Sequence, residues 1–176
     1  MDKMQLNDSV GVNVVRAMPT IRGKFNVQHI RDGIVIGDYE FPNGITNVGK
    51  NSLLGVYFHA DTQISTWYVG LVDNAGFSAF AAADTMSSHA GWTESTAYSE
   101  ATRNEWTEDA AASQSITNST ALTFTMNGTA TIKGIFVVSN STKGGTTGTL
   151  WSTAAFASTV AVNSGDLLKV TYTVSA

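Results

Sequence analysis

The chain contains no cysteine. That excludes a disulfide framework, a thiol nucleophile and any Cys-ligated zinc or iron–sulfur centre. Charge is scarce as well. Only 14% of the 176 residues are Asp, Glu, Lys or Arg, against about 25% in an average globular protein. No cluster of Lys or Arg occurs, and the net charge is −4. A nucleic-acid partner would need a basic stripe, so none is expected. No apolar run approaches the ~18 residues of a membrane span, and no membrane partner is expected. The N-terminus carries Asp2, Asn7 and Asp8 without an apolar core segment, so the sequence predicts no secretory leader and synthesis in a cytoplasm.

In place of charge there are 40 Ser and Thr residues. From Ser113 onward the only charges are Lys133, Lys143, Asp166 and Lys169. Thr suits strands, and a hydroxyl surface also costs little to desolvate when another protein covers it. The same stretch alternates with period two. Leu122, Phe124 and Met126 share one face, as do Ala130, Ile132, Phe136 and Val138, and Leu168, Val170, Tyr172 and Val174. Such alternation gives one buried and one wet face, as in an antiparallel sheet packed on one side. Asn127-Gly128 between two of these runs predicts a type I′ hairpin, and so does Asp32-Gly33 between Phe25 and Phe41.

Thr46 is positioned to cap a helix running to about Phe58, with Val48, Leu53, Leu54 and Tyr57 as its apolar stripe. The dense run Trp67-Tyr68-Val69-Gly70-Leu71-Val72 predicts a central strand buried on both faces. Residues 73–112 read as a long exposed excursion holding most of the acids, with helical turns at Asp84 to His89 and a short strand near residues 102–107. Strands are further predicted at residues 149–156 and 160–162. The fold class expected is mainly β, an antiparallel β-sandwich of jelly-roll or Greek-key type with one or two short helices. The sandwich domain would span residues 25–176, preceded by an extended arm over residues 1–24.

No catalytic pattern is legible. His29, His59 and His89 lack supporting ligands at metal-site spacing, so no metal is expected. Lys143-Gly144-Gly145 precedes no helix, which removes a P-loop or dinucleotide reading, and no cofactor is expected. The carboxylate pairs Glu94 with Glu100 and Glu105 with Glu108 read as a solvated face. Contact devices are the better candidates. Val10, Val12 and Val14, with Met18, form an alternating stretch suited to lying along a neighbouring subunit. Trp92 and Trp106, in the polar excursion, read as exposed aromatics for a protein interface or a sugar platform, with interface or core favoured.

Several segments resemble a family of small virion structural proteins of tailed bacteriophages. They include Ile30-Arg31-Asp32-Gly33, Glu40-Phe41-Pro42-Asn43, Asn51-Ser52-Leu53-Leu54 and the run from Gln63 to Leu71. Further on come Ala97 to Arg103 with Trp106, Ser115 to Ser119, and the closing run from Gly134 through Trp151 to Thr173. The resemblance covers the chain from about Phe25 to its end. It implies a non-enzymatic capsid decoration or cement protein, a dimer or trimer seated on the virion's capsid surface and bridging copies of the major capsid protein. The alternatives are a tail, baseplate or fibre-associated protein and a carbohydrate-binding β-sandwich module.

Overall fold

A computed structural model of the chain describes residues 20–176. Eleven strands and one helix follow in order. β1 (Arg22–Arg31) and β2 (Ile34–Pro42) form a hairpin whose Asp32 and Gly33 both have positive φ, 51° and 78°. That is the backbone a two-residue I′ turn requires, so this local signal decides the structure. β3 (Gly44–Ile45) leads into α1 (Asn47–Phe58). Thr46 caps α1 by accepting a hydrogen bond from the Gly49 N–H. β4 (Trp67–Asp73), β5 (Glu94–Ser95) and β6 (Asn104–Trp106) follow, then β7 (Ser115–Thr117) and β8 (Leu122–Thr125). The chain closes with β9 (Ala130–Val138), β10 (Leu150–Val162) and β11 (Leu167–Ser175).

The strands make two antiparallel sheets, a β-sandwich. One runs β2-β1-β11-β7, with β8 also on β11; the other runs β3-β10-β9-β4-β5, with β6 also on β4. Between them lies the main core, including Phe25, Val27, Leu71, Phe124, Ile132, Phe156 and Tyr172. β4 is buried on both faces as its apolar run predicts: Val69 and Leu71 face this core, and Val72 faces a second one.

Four expectations change. Asn127-Gly128 does not close a hairpin, because β8 pairs with β11 while β9 pairs with β10 and β4 in the other sheet. The Met126 N–H instead donates to Asp166 O, and the Asn127 N–H to Ala97 O. The strands expected at residues 149–156 and 160–162 are one strand, β10, with a register shift between Ala155 and Val160. Asp84 to His89 forms turns closed by a Thr85–Ser88 bridge rather than a helix. The domain boundary also moves: Arg22 to Lys24 belong to β1, opposite Ser175 to Thr173.

The excursion is a cover rather than a loose loop. Phe77, Phe80, Met86 and Trp92 pack with Val72, Phe136 and Val138, forming the second core on the outer face of the β4-β9 sheet. Its acids serve as fixed acceptors. Asp84 takes the Trp92 indole N–H at 2.9 Å, and Glu100 takes the Thr125 N–H at 3.0 Å. Glu94 receives two hydrogen bonds from Arg103, at 2.9 and 2.7 Å. Arg103 is itself buried and also donates to Asn140 O and Gly145 O, tying the 139–148 loop down. Glu94 and Glu100 are therefore not the solvated face their sequence context predicts.

Candidate functional site: an open, apolar end of the sandwich

The sandwich has two unlike ends. β1 starts at one and finishes at the other, roughly 30 Å apart for a strand of this length.

At the far end, where β1 finishes and β11 begins, Asp166 is buried and gathers four donors or partners. Arg31 Nε donates to its Oδ1 at 2.8 Å, and Arg31 Nη2 to its Oδ2 at 2.7 Å. The Asn163 N–H donates at 2.8 Å, and His29 Nε2 lies 2.7 Å from Oδ2. The Arg31 bond, with help from the Asn163 N–H and His29, holds the Asp166 carboxyl well below the ordinary carboxylate range against the cost of burial. Beyond this clamp the hairpin tip presents Ile34, Val35 and Ile36 to solvent, Ile34 being 66% exposed.

At the near end the sheets part around a groove of about 310 Å³. Ile116 and Val174, paired across the β7-β11 ladder, form one wall together with Ile21, which immediately precedes β1. Trp67, Val137 and Trp151 form the other, with Trp106 as floor. Ser52, Leu53 and Val56 of α1 and the linker residues Gln63, Ile64 and Ser65 overhang it. Glu108 is the one formally charged residue among those described as lining it.

Two of the groove's three indoles keep their polar edges turned inward. Trp106 Nε1 donates to Asn118 Oδ1 and Tyr172 O, and Trp151 Nε1 donates to the Tyr172 hydroxyl at 2.8 Å. Asn43 also donates to that hydroxyl, at 2.7 Å. Burial pushes the Tyr172 phenol up to about 12, so it stays a neutral donor and acceptor in the network. With those two N–H groups satisfied behind, the Trp106 and Trp151 surface left toward the groove is hydrocarbon.

α1 explains why the end is open. Its sequence stripe predicts Val48, Leu53, Leu54 and Tyr57 inward; Val48 packs on the second core, but Leu53, Leu54 and Tyr57 are exposed and Gly49 is the helix's sole buried residue. A Cβ at Gly49 would stand 2.5 Å from the Trp151 carbonyl oxygen, so only glycine permits this approach. The Thr46 hydroxyl donates to Leu150 O and the Thr46 N–H to Trp151 O, pinning the helix start to β10. The consequence is an apolar rim. Leu53 and Leu54 are exposed, and Tyr57 and Phe58 are 79% and 77% exposed, their rings edge to face at 4.9 Å.

Of the residues expected to make contacts, Trp92 and Trp106 are corrected. Trp92 is 3% exposed, stacked by His89 and packed on Phe80 and Phe136; Trp106 is 6% exposed and bonded to the sheet behind it. Neither forms part of an exposed sugar platform, because the chain's own side chains cover both faces or edges. Val10, Val12, Val14 and Met18 lie outside the described residues. The exposed tip and the helix rim were not anticipated as contacts. The signal for the rim was Gly49 within the helix, since an interior glycine often marks a close packing approach.

Among the described residues, no group of three or more His, Cys, Asp or Glu could hold a metal ion. His29 sits in the clamp, His59 at the C-terminus of α1 and His89 on Trp92. No helix among the described residues is long and apolar enough to cross a membrane. No protein-family model matches the chain, and no curated protein sequence is significantly similar to it.

Proposed function

We propose that this chain is a structural protein of a tailed-bacteriophage particle, a capsid decoration or cement protein that acts by binding rather than catalysis. It sits on the outside of the head as a dimer or trimer and bridges neighbouring copies of the major capsid protein. The observation that carries this reading is the pair of exposed apolar patches at opposite ends of one rigid strand: Ile34, Val35 and Ile36 at one, Leu54, Tyr57 and Phe58 at the other. Contiguous exposed apolar side chains mark interaction surfaces far more often than scattered ones do. A bridge needs two contacts held at a fixed separation, and joining them on one body raises the strength of each through effective concentration. The hydroxyl-rich, charge-poor surface of the C-terminal half suits a piece that is packed against others. The clustered titratable groups support the same reading, since Glu94, Arg103 and Asp166 are each committed to holding the fold.

Quantitative mass spectrometry of purified particles tests it. A cement protein is present at a fixed fraction of the major capsid protein. Tail-level copy numbers would move the protein to the tail, and absence from particles would end the virion reading. Charge placed at either patch, as Ile34→Asp with Ile36→Asp or Tyr57→Asp with Phe58→Asp, is expected to release the folded protein from heads.

A further inference from the structure

We infer that Asn127 is a site of spontaneous deamidation, its side-chain amide being attacked by the Gly128 backbone nitrogen to leave aspartate and isoaspartate at that position.

The chain has two Asn-Gly pairs, Asn43-Gly44 and Asn127-Gly128, and the fold treats them oppositely. Glycine in second place leaves the backbone nitrogen unshielded by a Cβ, so both pairs start with the same intrinsic reactivity. Asn43 is fastened. Its N–H donates to Gly23 O at 3.0 Å, its Nδ2 donates to the Tyr172 hydroxyl at 2.7 Å, and its Oδ1 is buried. Gly44 lies in β3, opposite Thr153 of β10. Bringing the Asn43 amide carbon onto the Gly44 nitrogen would break these bonds and disturb the strand pairing.

Asn127 is exposed, at the crossover from β8 in one sheet to β9 in the other. Among the described residues its side-chain amide has no hydrogen-bond partner, and the Gly128 N–H has no acceptor. A Cβ built at Gly128 would meet nothing within 4 Å, so the space beside the attacking nitrogen is open. Amide and nucleophile are both free here.

The chemistry needs only water. The Gly128 nitrogen forms a bond to Asn127 Cγ, and the Cγ–Nδ2 bond breaks, with ammonia carrying away the backbone proton. Water then opens the cyclic succinimide at either carbonyl, giving aspartate or isoaspartate. The new carboxylate makes the chain one unit more negative, in a stretch whose sole acid from Ser113 onward is Asp166. In isoaspartate the main chain also gains a carbon on the C-terminal side of residue 127. The bonds from the Met126 N–H to Asp166 O and from the Asn127 N–H to Ala97 O lie before that point, and β9 begins only at Ala130. The change therefore falls between strands, and both sheets keep their register.

The test takes the purified full chain, holds it warm in mildly alkaline buffer and follows each site by peptide mass mapping. Isoaspartate is scored by methyl transfer from S-adenosylmethionine by an isoaspartyl methyltransferase. In the folded chain the Asn127 peptide is expected to convert several-fold faster than the Asn43 peptide, the rate rising with pH and the circular dichroism staying unchanged. In urea the two sites are expected to draw level, since the fold alone separates them. Gly128→Ala, whose methyl enters open space, is expected to slow conversion at Asn127 several-fold in the folded chain. Asn43 converting as fast as Asn127 in the folded chain overturns the inference. So does an Asn127 peptide that stays intact when folded but converts in urea, or a rate that Gly128→Ala leaves unchanged. Particle binding enters none of these readouts.

Discussion

The two ends of the sandwich solve the same problem in opposite ways. Any pair of packed sheets leaves its core exposed where the strands stop. At the far end a carboxylate closes the gap: Asp166, buried, draws β1 and the turn before β11 together through Arg31, His29 and the Asn163 N–H. At the near end no charged clamp lies among the groove's described lining, and Trp67 and Trp151 line an open mouth over the buried Trp106, beneath a helix that touches the sheet through a glycine. A charged clamp is directional and breaks when any partner is lost. The first end is held by charge and the second is left apolar and open.

The largest expected effect comes from removing the clamp. Asp166→Ala leaves His29 buried beside a vacated site and frees Arg31; breaking buried pairs of this kind costs ~3–5 kcal/mol, toward the lower figure here because Arg31 reaches solvent. Urea unfolding monitored by tryptophan fluorescence measures it. A loss no greater than that of a surface substitution would erase the distinction between the ends.

Gly49→Ala comes next. Its methyl meets a backbone carbonyl that cannot rotate away, an overpacking worth ~1–3 kcal/mol, against a helix-propensity gain of ~1 kcal/mol. A net destabilisation of up to ~2 kcal/mol is expected from those terms, with faster amide exchange in α1 than in the wild type. Stabilisation instead would mean that the glycine does not set the helix's approach.

Acid sharpens the contrast more gradually. The folded state holds Asp166 below its ordinary value of 3.8, so the unfolded chain takes up the proton first as pH falls. The clamp's contribution is complete above about pH 5 and drains away as pH drops through the ordinary carboxylate range and below it. Unfolding midpoints measured down that series should fall for the wild type more steeply than for Asp166→Asn. Equal slopes would assign acid sensitivity to other carboxylates. The smallest effect belongs to the mouth's rim: Leu54→Ala, an exposed position, should change stability by less than ~0.5 kcal/mol in the same urea assay.

Local chemistry made some of this legible from residues alone. Asp32-Gly33 and the Thr46 cap each act within a few residues, and both formed as their sequence predicts. Asn127-Gly128 carries the same local preference, yet long-range pairing overrode it, sending β8 to β11 and β9 to β10. The clamp was invisible because Arg31 and Asp166 are 135 residues apart. Trp92 and Trp106 sit in segments with no helix or strand period, so their burial depended on what folded over them. For α1 the pattern identified the helix and misplaced its inward face, since a stripe of large apolar residues outweighs a single glycine in any periodicity argument.

β1 joins the two ends and is hydrogen-bonded along its length on both sides, to β2 and to β11. A pull that draws the ends apart acts along the strand axis, whereas the ladder bonds lie across it. Such a load shears the bonds together instead of peeling them one by one. Mechanically the strand is a tie-rod between the clamped end and the open one.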